Sequence, residues 1–231
     1  MIRRREHFDF ERRLNAYTLA AAAAGVSALA LAQPAEGKII YTKAHKNFGP
    51  NQTLHLDLNH DKIADFDLKD TFTTSTAGGA FGTLSAVPKR PQNAIWGHTV
   101  PLRAYASALP ANVQIGPKKR FLPAGGFMAA SSYSGLNPGN FSCTGPWADV
   151  TNRYLGLKFA IKGERHFGWA RLNVSCSNAT VNGTLTGYAY ESVANKPILT
   201  GKTHGTDGRT SAALAATLGG LAQGVRGRND H

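Results

Sequence analysis

Acidic residues are scarce in this sequence of 231 residues, where 14 aspartates and glutamates stand against 26 lysines and arginines. After position 37 only two glutamates remain, Glu164 and Glu191. A glycoside hydrolase generally needs two carboxyl groups that face one cleft, about 5 to 10 Å apart. Asp149 and Glu191 are the best pair for that role, but nothing in their spacing indicates it. The composition therefore argues against glycosidase chemistry.

Recognised catalytic motifs are also missing. The sequence contains no Gly-x-Ser-x-Gly elbow, no His-Glu-x-x-His pair, no phosphate-binding glycine loop and no dinucleotide fingerprint. His166 stands near Trp169, but a period of two places it on the same face as Ala170 and Leu172, which predicts a packed or edge histidine. We therefore expect no enzymatic activity.

What the sequence does contain is a strand pattern of period two. Between Tyr154 and Lys202, apolar and polar residues alternate through the segments 154–161, 170–176 and 181–190, which turn residues separate. Shorter β-like segments precede them, and no helical period of useful length occurs. Residues 38–203 are therefore predicted to form one all-β domain, an antiparallel β-sandwich of the jelly-roll or lectin-like type with long loops.

Residues 110–146 are punctuated by Gly, Pro and Ser, which predicts a long system of surface loops. Loops held on a rigid sandwich often carry binding sites, so this region is our candidate ligand site. The candidate apolar contacts are Phe121, Phe127, Tyr133 and Trp147. The alternative, which we prefer, is that these aromatic residues close one end of the sandwich.

Four short motifs carry a family resemblance: YLGLKF, HFGWARLNV, GYAYE and KPILTGK. They resemble the C-terminal half of exported bacterial proteins that are associated with PEP-CTERM sorting tails. The resemblance implies secretion and a β-sandwich, and it transfers no catalytic residue.

The two ends of the chain differ from the predicted domain. Residues 1–37 combine an arginine-rich start with a run of small apolar residues and are predicted to be a signal peptide, cleaved after Ala32 or Gly37; a retained membrane anchor is the alternative. Residues 204–231 form a tail rich in Ala and Gly, which resembles a degenerate sorting tail or else is disordered or loosely helical. We expect membrane contact only through these two segments.

The chain has two cysteines, Cys143 and Cys176. An exported protein meets an oxidising compartment, so we predict a disulfide between them. Closing this loop would stabilise the fold by roughly 4 kcal/mol in the chain-entropy treatment. The alternative is that Cys176 is a buried free thiol.

The formal net charge of +12 favours an anionic partner, such as an acidic polysaccharide or another component of the cell envelope. The cations are scattered and no aromatic-basic strip is apparent, so we do not expect nucleic-acid binding. We expect a noncatalytic protein of the periplasm, the cell surface or the extracellular matrix, which binds glycans or surfaces. The alternative is a secreted polysaccharide hydrolase whose site lies in the loops of 110–150.

Five of the acidic residues lie between positions 57 and 70, a concentration whose mutual repulsion a cation would offset. Oxygen ligands from Asp57, Asn59, Asp61 and Asp65 fall at positions 1, 3, 5 and 9 of a loop, and the carbonyl of Ile63 falls at position 7, a spacing that suits Ca²⁺. Position 6 is lysine rather than glycine and position 12 is not glutamate, so we expect a weak site. The alternative is a metal-free turn in which the carboxylates cap backbone N–H groups.

Overall fold

The computed structural model describes residues 37–76, 78–134 and 141–205, which fold into β-structure without helices. The strands, in chain order, are β1 (Ile39–Phe48), β2 (Thr53–Leu56), β3 (Phe66–Thr74), β4 (Ala80–Pro88), β5 (Ala94–Val100), β6 (Arg103–Ala106), β7 (Gln114–Ile115), β8 (Phe121–Leu122), β9 (Gly126–Tyr133), β10 (Phe141–Thr144), β11 (Val150–Ile161), β12 (Glu164–Ser177), β13 (Thr180–Glu191) and β14 (Ile198–Leu199). Within the described ranges, no helix has the length and apolar character needed to cross a bilayer. The predicted signal segment and tail lie outside these ranges, apart from Gly37, His204 and Gly205.

Twelve strands form one sheet in the order β1-β13-β12-β11-β5-β6-β9-β4-β3-β2, with β10 paired to β9 and β8 paired to β5. Every pairing in this sheet is antiparallel except that of β6 with β9. β7 and β14 form a separate two-stranded sheet. β1 and β2 end the strand order, and the register of β1 on β13 shifts between Lys43 and Lys46. The prediction of an all-β, mainly antiparallel fold is confirmed.

β11, β12 and β13 form the meander that alternation predicts, with longer strands than the sequence pattern indicates. Two-residue loops join them, and both residues of each loop have positive φ: Lys162 and Gly163 in the first, Asn178 and Ala179 in the second. This is the backbone of the tight hairpin turns whose twist matches that of the flanking strands.

One hydrophobic core lies between the two halves of the sheet. β11 and β12 contribute Leu155, Leu157 and Leu172, and the half that contains β4 and β9 contributes Leu84 and Met128. All five side chains are fully buried, and each such burial stabilises the fold by about 1.5 to 3 kcal/mol. The two halves therefore share one interior.

Part of the outer face of the meander is buried as well. Alternation places Trp169 opposite the core face, and there it packs edge-to-face on Tyr154 with ring centroids 5.2 Å apart. Trp169 belongs to a second hydrophobic cluster together with Ile115 of β7 and Ile198 of β14, so the small sheet covers this part of the face. Because both faces are covered, Trp169 has no exposed surface.

The prediction of a continuous loop system over residues 110–146 is wrong. β9 runs through this region as an interior strand between β4 and β6, with β10 beside it. Its central residues are small, apart from Met128, and a Cβ on Gly126 would lie 2.7 Å from the backbone nitrogen of Ala106. Trp147 is fully buried in the core, where its Nε1–H donates to the carbonyl of Ala106 at 3.0 Å. Small residues in β9 allow the neighbouring strands to pack closely. The same residue types are common in loops, which is why the sequence pattern indicated a loop.

The predicted disulfide is confirmed: Cys143 of β10 is bonded to Cys176 of β12, with their Cα atoms 5.9 Å apart. Beside it, the backbone N–H of Cys176 donates to Oδ1 of Asp149 at 2.8 Å. The bridge ties β10, whose partner among the described strands is β9, to the meander.

Candidate anion-binding strip and calcium loop

The structure does not bring together the two carboxylates considered for glycosidase chemistry. Asp149 is bound to the backbone at Cys176, near one end of β12, whereas Glu191 ends β13 at the opposite end of the meander. Val181 pairs with Cys176 and lies ten positions before Glu191, so the separation is roughly 30 Å at the rise of an antiparallel strand. Glu191 is buried and accepts a hydrogen bond from the N–H of Val193. These two groups cannot act on one glycosidic bond.

His166 lies where the strand period predicts, in a packed position. It is 4 % exposed, and its Nδ1–H donates to the carbonyl of Glu191 at 2.9 Å. Its ring stands near the aromatic rings of Phe159 and Tyr190. These contacts account for the histidine without any catalytic role.

The predicted calcium loop is closed by its own carboxylates. Asp57 accepts hydrogen bonds from the N–H groups of Asp61, at 3.3 Å, and Lys62, at 2.8 Å. Asp61 accepts from the N–H of Ile63 at 2.9 Å, and this hydrogen bond is the main reason that the pKa of Asp61 lies below its usual value. Lys62 has a φ of +70°, a conformation that glycine adopts at little cost.

The other ligand candidates take different positions. Asp65 is fully buried and accepts from the N–H of Leu58 and from the side-chain amide of Asn93; burial raises its pKa. Asn59 donates its amide to Asp61 at 3.1 Å, while its own Oδ1 is shut off from solvent and accepts no hydrogen bond. The Nη2 atom of Arg90 lies 3.4 Å from Oδ2 of Asp61.

Among the described residues, one group of three His, Cys, Asp or Glu side chains has its ligand atoms within 4.8 Å of one another: Cys143, Asp149 and Cys176. Both sulfurs are committed to the disulfide, so they offer no thiolate to a metal. The carboxylates of the calcium loop do not converge to this degree.

Two clefts on the surface are lined by cations and by no carboxylate. The first, of about 270 Å³, lies at the β11–β12 hairpin, and its lining is Gln92, Lys158, Phe159, Ala160, Gly163 and Arg165. The second, of about 210 Å³, lies beside β7, and its lining is Gln114, Gly116, Pro117, Lys118, Lys119 and Pro197. Burial, and then the charge of Arg165, lower the pKa of Lys158. Each cleft thus offers positive charge that the lining itself does not neutralise.

Aromatic rings connect the cationic side chains of the two clefts. Trp96 of β5 and Phe121 of β8 are paired residues on adjacent strands. The Nζ of Lys119 lies 5.0 Å from the ring centroid of Trp96, and the Nζ of Lys158 lies 5.5 Å from that of Phe121. We call Trp96, Lys119, Phe121, Lys158 and Arg165 the aromatic-basic strip.

Sequence reasoning misses this strip. Its members come from three separate segments, around positions 96, 119–121 and 158–165, and only strand pairing brings them together. The available signal was the Lys118-Lys119-Arg120 triplet, which ends one residue before Phe121. The other aromatic candidates lie elsewhere: Phe127 packs edge-to-face on Tyr105, and Tyr133 ends β9.

Comparison of the chain with protein-family models, with curated proteins and with solved structures gives no match.

Proposed function

We propose that this chain is an exported, noncatalytic β-sandwich protein of lectin-like type, which acts at the cell surface, in the matrix or in the periplasm. Its ligand is an acidic polysaccharide or a similar anionic component of the cell envelope. The observation that carries this proposal is the pair of clefts lined by lysine and arginine without a carboxylate. An anionic ligand gains from this charge pattern, and the excess of basic over acidic residues steers it towards the chain.

Two observations support export. The Cys143–Cys176 disulfide suits an oxidising compartment. The arginine-rich, apolar segment 1–37 has the composition of a signal peptide. The resemblance to exported proteins with sorting tails points the same way.

The arrangement supports binding better than hydrolysis. The range 110–150, in which a hydrolase site would lie, contains one acidic residue, Asp149, and its Oδ1 already accepts a hydrogen bond from Cys176. A two-carboxylate mechanism needs a second acid facing the first across the substrate. No such partner stands in this range.

The loop from Asp57 to Asp65 is proposed to bind Ca²⁺ weakly. A carboxylate that accepts a backbone N–H keeps other lone pairs for a cation. The unpartnered Oδ1 of Asn59 and the left-handed backbone of Lys62, where such loops prefer glycine, support the proposal. Arg90 competes with a cation at Asp61, which agrees with a weak site.

A binding panel with the chain lacking residues 1–37 tests the function. We expect polygalacturonate and dextran sulfate to bind with an affinity that falls as salt rises, while neutral dextran does not bind. A parallel assay for reducing ends should show no release of sugar. Equal binding of neutral and acidic glycans, binding of none of them, or steady release of reducing ends would each refute the proposal.

A further inference from the structure

The aromatic-basic strip defines where and how an acidic glycan is held. Resting on the function proposed above, we infer that Lys158 and Arg165 bind the acid group of one sugar, and that Trp96 and Phe121 receive the apolar face of a sugar ring. Lys119 then pairs with a second acid group along the same chain. The ligand class is an oligosaccharide that carries carboxylate or sulfate groups.

The cations of the strip lack acidic partners in the part of the chain that is described. The ion pairs among the described residues involve His55, Lys89, Arg90 and Lys196. None of them includes Lys158, Arg165 or Lys119. Lys158 and Arg165 line one cleft together with the amide of Gln92. Two like charges in one concavity repel each other, and a bound anion relieves this repulsion while it accepts hydrogen bonds from both.

The aromatic members give the strip a preference for sugars over simple anions. Trp96 and Phe121 are half-buried, so each ring is fixed by its strand and still reaches the surface. A sugar ring presents C–H groups on one face, which pack on such rings. Lys119 lies over Trp96 and Lys158 lies over Phe121, and the long flexible stem of each lysine allows its charged end to swing from the ring to an acid group.

The strip lies mainly on adjacent strands; of its members, only Lys119 belongs to a loop, the one between β7 and β8. It runs from β8 over β5 and β11 to β12, which are paired in that sequence. Three strand spacings cover about 14 Å, a length that suits a short oligosaccharide better than a single sugar. Because strands hold Trp96, Phe121, Lys158 and Arg165, this part of the site is formed before the ligand arrives.

The test compares matched pairs of variants in the chain lacking residues 1–37. The double variant Lys158→Gln, Arg165→Gln removes two charges from the strip, and Lys43→Gln, Lys46→Gln removes two from the exposed edge strand β1. We expect the first to weaken binding of polygalacturonate by at least about tenfold and the second by less than about threefold. Circular dichroism and melting curves verify that both variants are folded.

A second pair of probes separates sugar contact from charge. Trp96→Ala, with Trp96→Phe as the milder variant, should weaken polygalacturonate binding several-fold while leaving binding of inorganic polyphosphate unchanged. Dextran sulfate shows whether sulfate replaces carboxylate, and single-stranded DNA tests the competing class of ligand.

The outcomes separate the two proposals. If acidic polysaccharides bind but the strip variants and the β1 variants lose the same affinity, the strip is not the binding site and the proposed function stands. If the parent chain binds no acidic polysaccharide, the proposed function itself is wrong. Tighter binding of DNA than of any glycan, or equal loss of polyphosphate and polygalacturonate with Trp96→Ala, overturns the sugar-specific role of the strip.

Discussion

Asp70 lies inside the sheet and destabilises the fold when it is ionised. Its side chain is 2 % exposed, Oδ1 accepts one long hydrogen bond from the N–H of Asn51 at 3.3 Å, and Oδ2 has no partner. Burial raises the pKa of Asp70 from 3.8 to about 6. Asp70→Asn places a neutral side chain of the same shape there, and its Oδ1 keeps the bond from Asn51.

The sign and size of the effect follow from linkage between protonation and folding. A raised pKa in the folded state means that protonation of Asp70 stabilises the fold; this contribution is complete below pH 3.8 and is lost as the pH rises through about 6. At pH 8 the cost of ionisation is about 2 to 3 kcal/mol once screening by solvent is allowed for. Asp70→Asn should therefore raise the free energy of unfolding by about that amount at pH 8 and by about half of it at pH 5.

Urea unfolding of both chains at pH 5 and pH 8 measures this difference. Glu164→Gln is the matched control, since it removes one negative charge from an exposed position at the β11–β12 turn. We expect the control to change the free energy of unfolding by less than about 0.5 kcal/mol. An Asp70→Asn chain that is no more stable than the parent at pH 8, or equally stabilised at both pH values, would refute the reasoning.

Three further predictions concern the disulfide, export and calcium. Replacing Cys143 and Cys176 together by serine should lower the free energy of unfolding by roughly 4 kcal/mol, whereas equal denaturation midpoints for parent and variant would contradict the stabilising role of the bridge. Mass spectrometry of the protein from its native host should find a mature N-terminus at Lys38 or Gln33, and soluble material that retains residue 1 would argue against export. Millimolar Ca²⁺ should raise the melting temperature of the chelator-treated parent but not that of Asp57→Ala, and an unchanged parent would end the calcium proposal.

Local signals allowed the sequence to predict the meander and the disulfide. In β11 the alternation of Leu155, Leu157 and Phe159 reports a buried face, and turn residues mark where each strand ends. The disulfide could be predicted from the presence of just two cysteines in a chain that is expected to reach an oxidising compartment. The meander depends on residues that are close in sequence, and two cysteines allow a single intramolecular pairing.

Features that arise from packing between distant segments could not be predicted from the sequence. β9 is an interior strand whose residues 129–132 are all small, so its Gly-, Ala- and Ser-rich pattern resembled a loop. Alternation placed Trp169 on the correct face but could not indicate that β7 and β14 cover that face. The aromatic-basic strip likewise depends on pairing of β5 with β8 and β11, which no local pattern encodes.

The position of β1 determines when the domain can finish folding. β1 pairs along its length with β13, and a hydrogen bond of 3.0 Å joins the N–H of Lys38 to the hydroxyl of Ser192, 154 positions later. A chain that emerges from its N-terminal end therefore carries β1 without a partner until almost all of the domain is free. Closing so long a loop is slow, and an unpaired strand is prone to associate with other chains during this interval. Lys43 and Lys46 place charges on the exposed part of β1, and charges on such a strand oppose association with other chains.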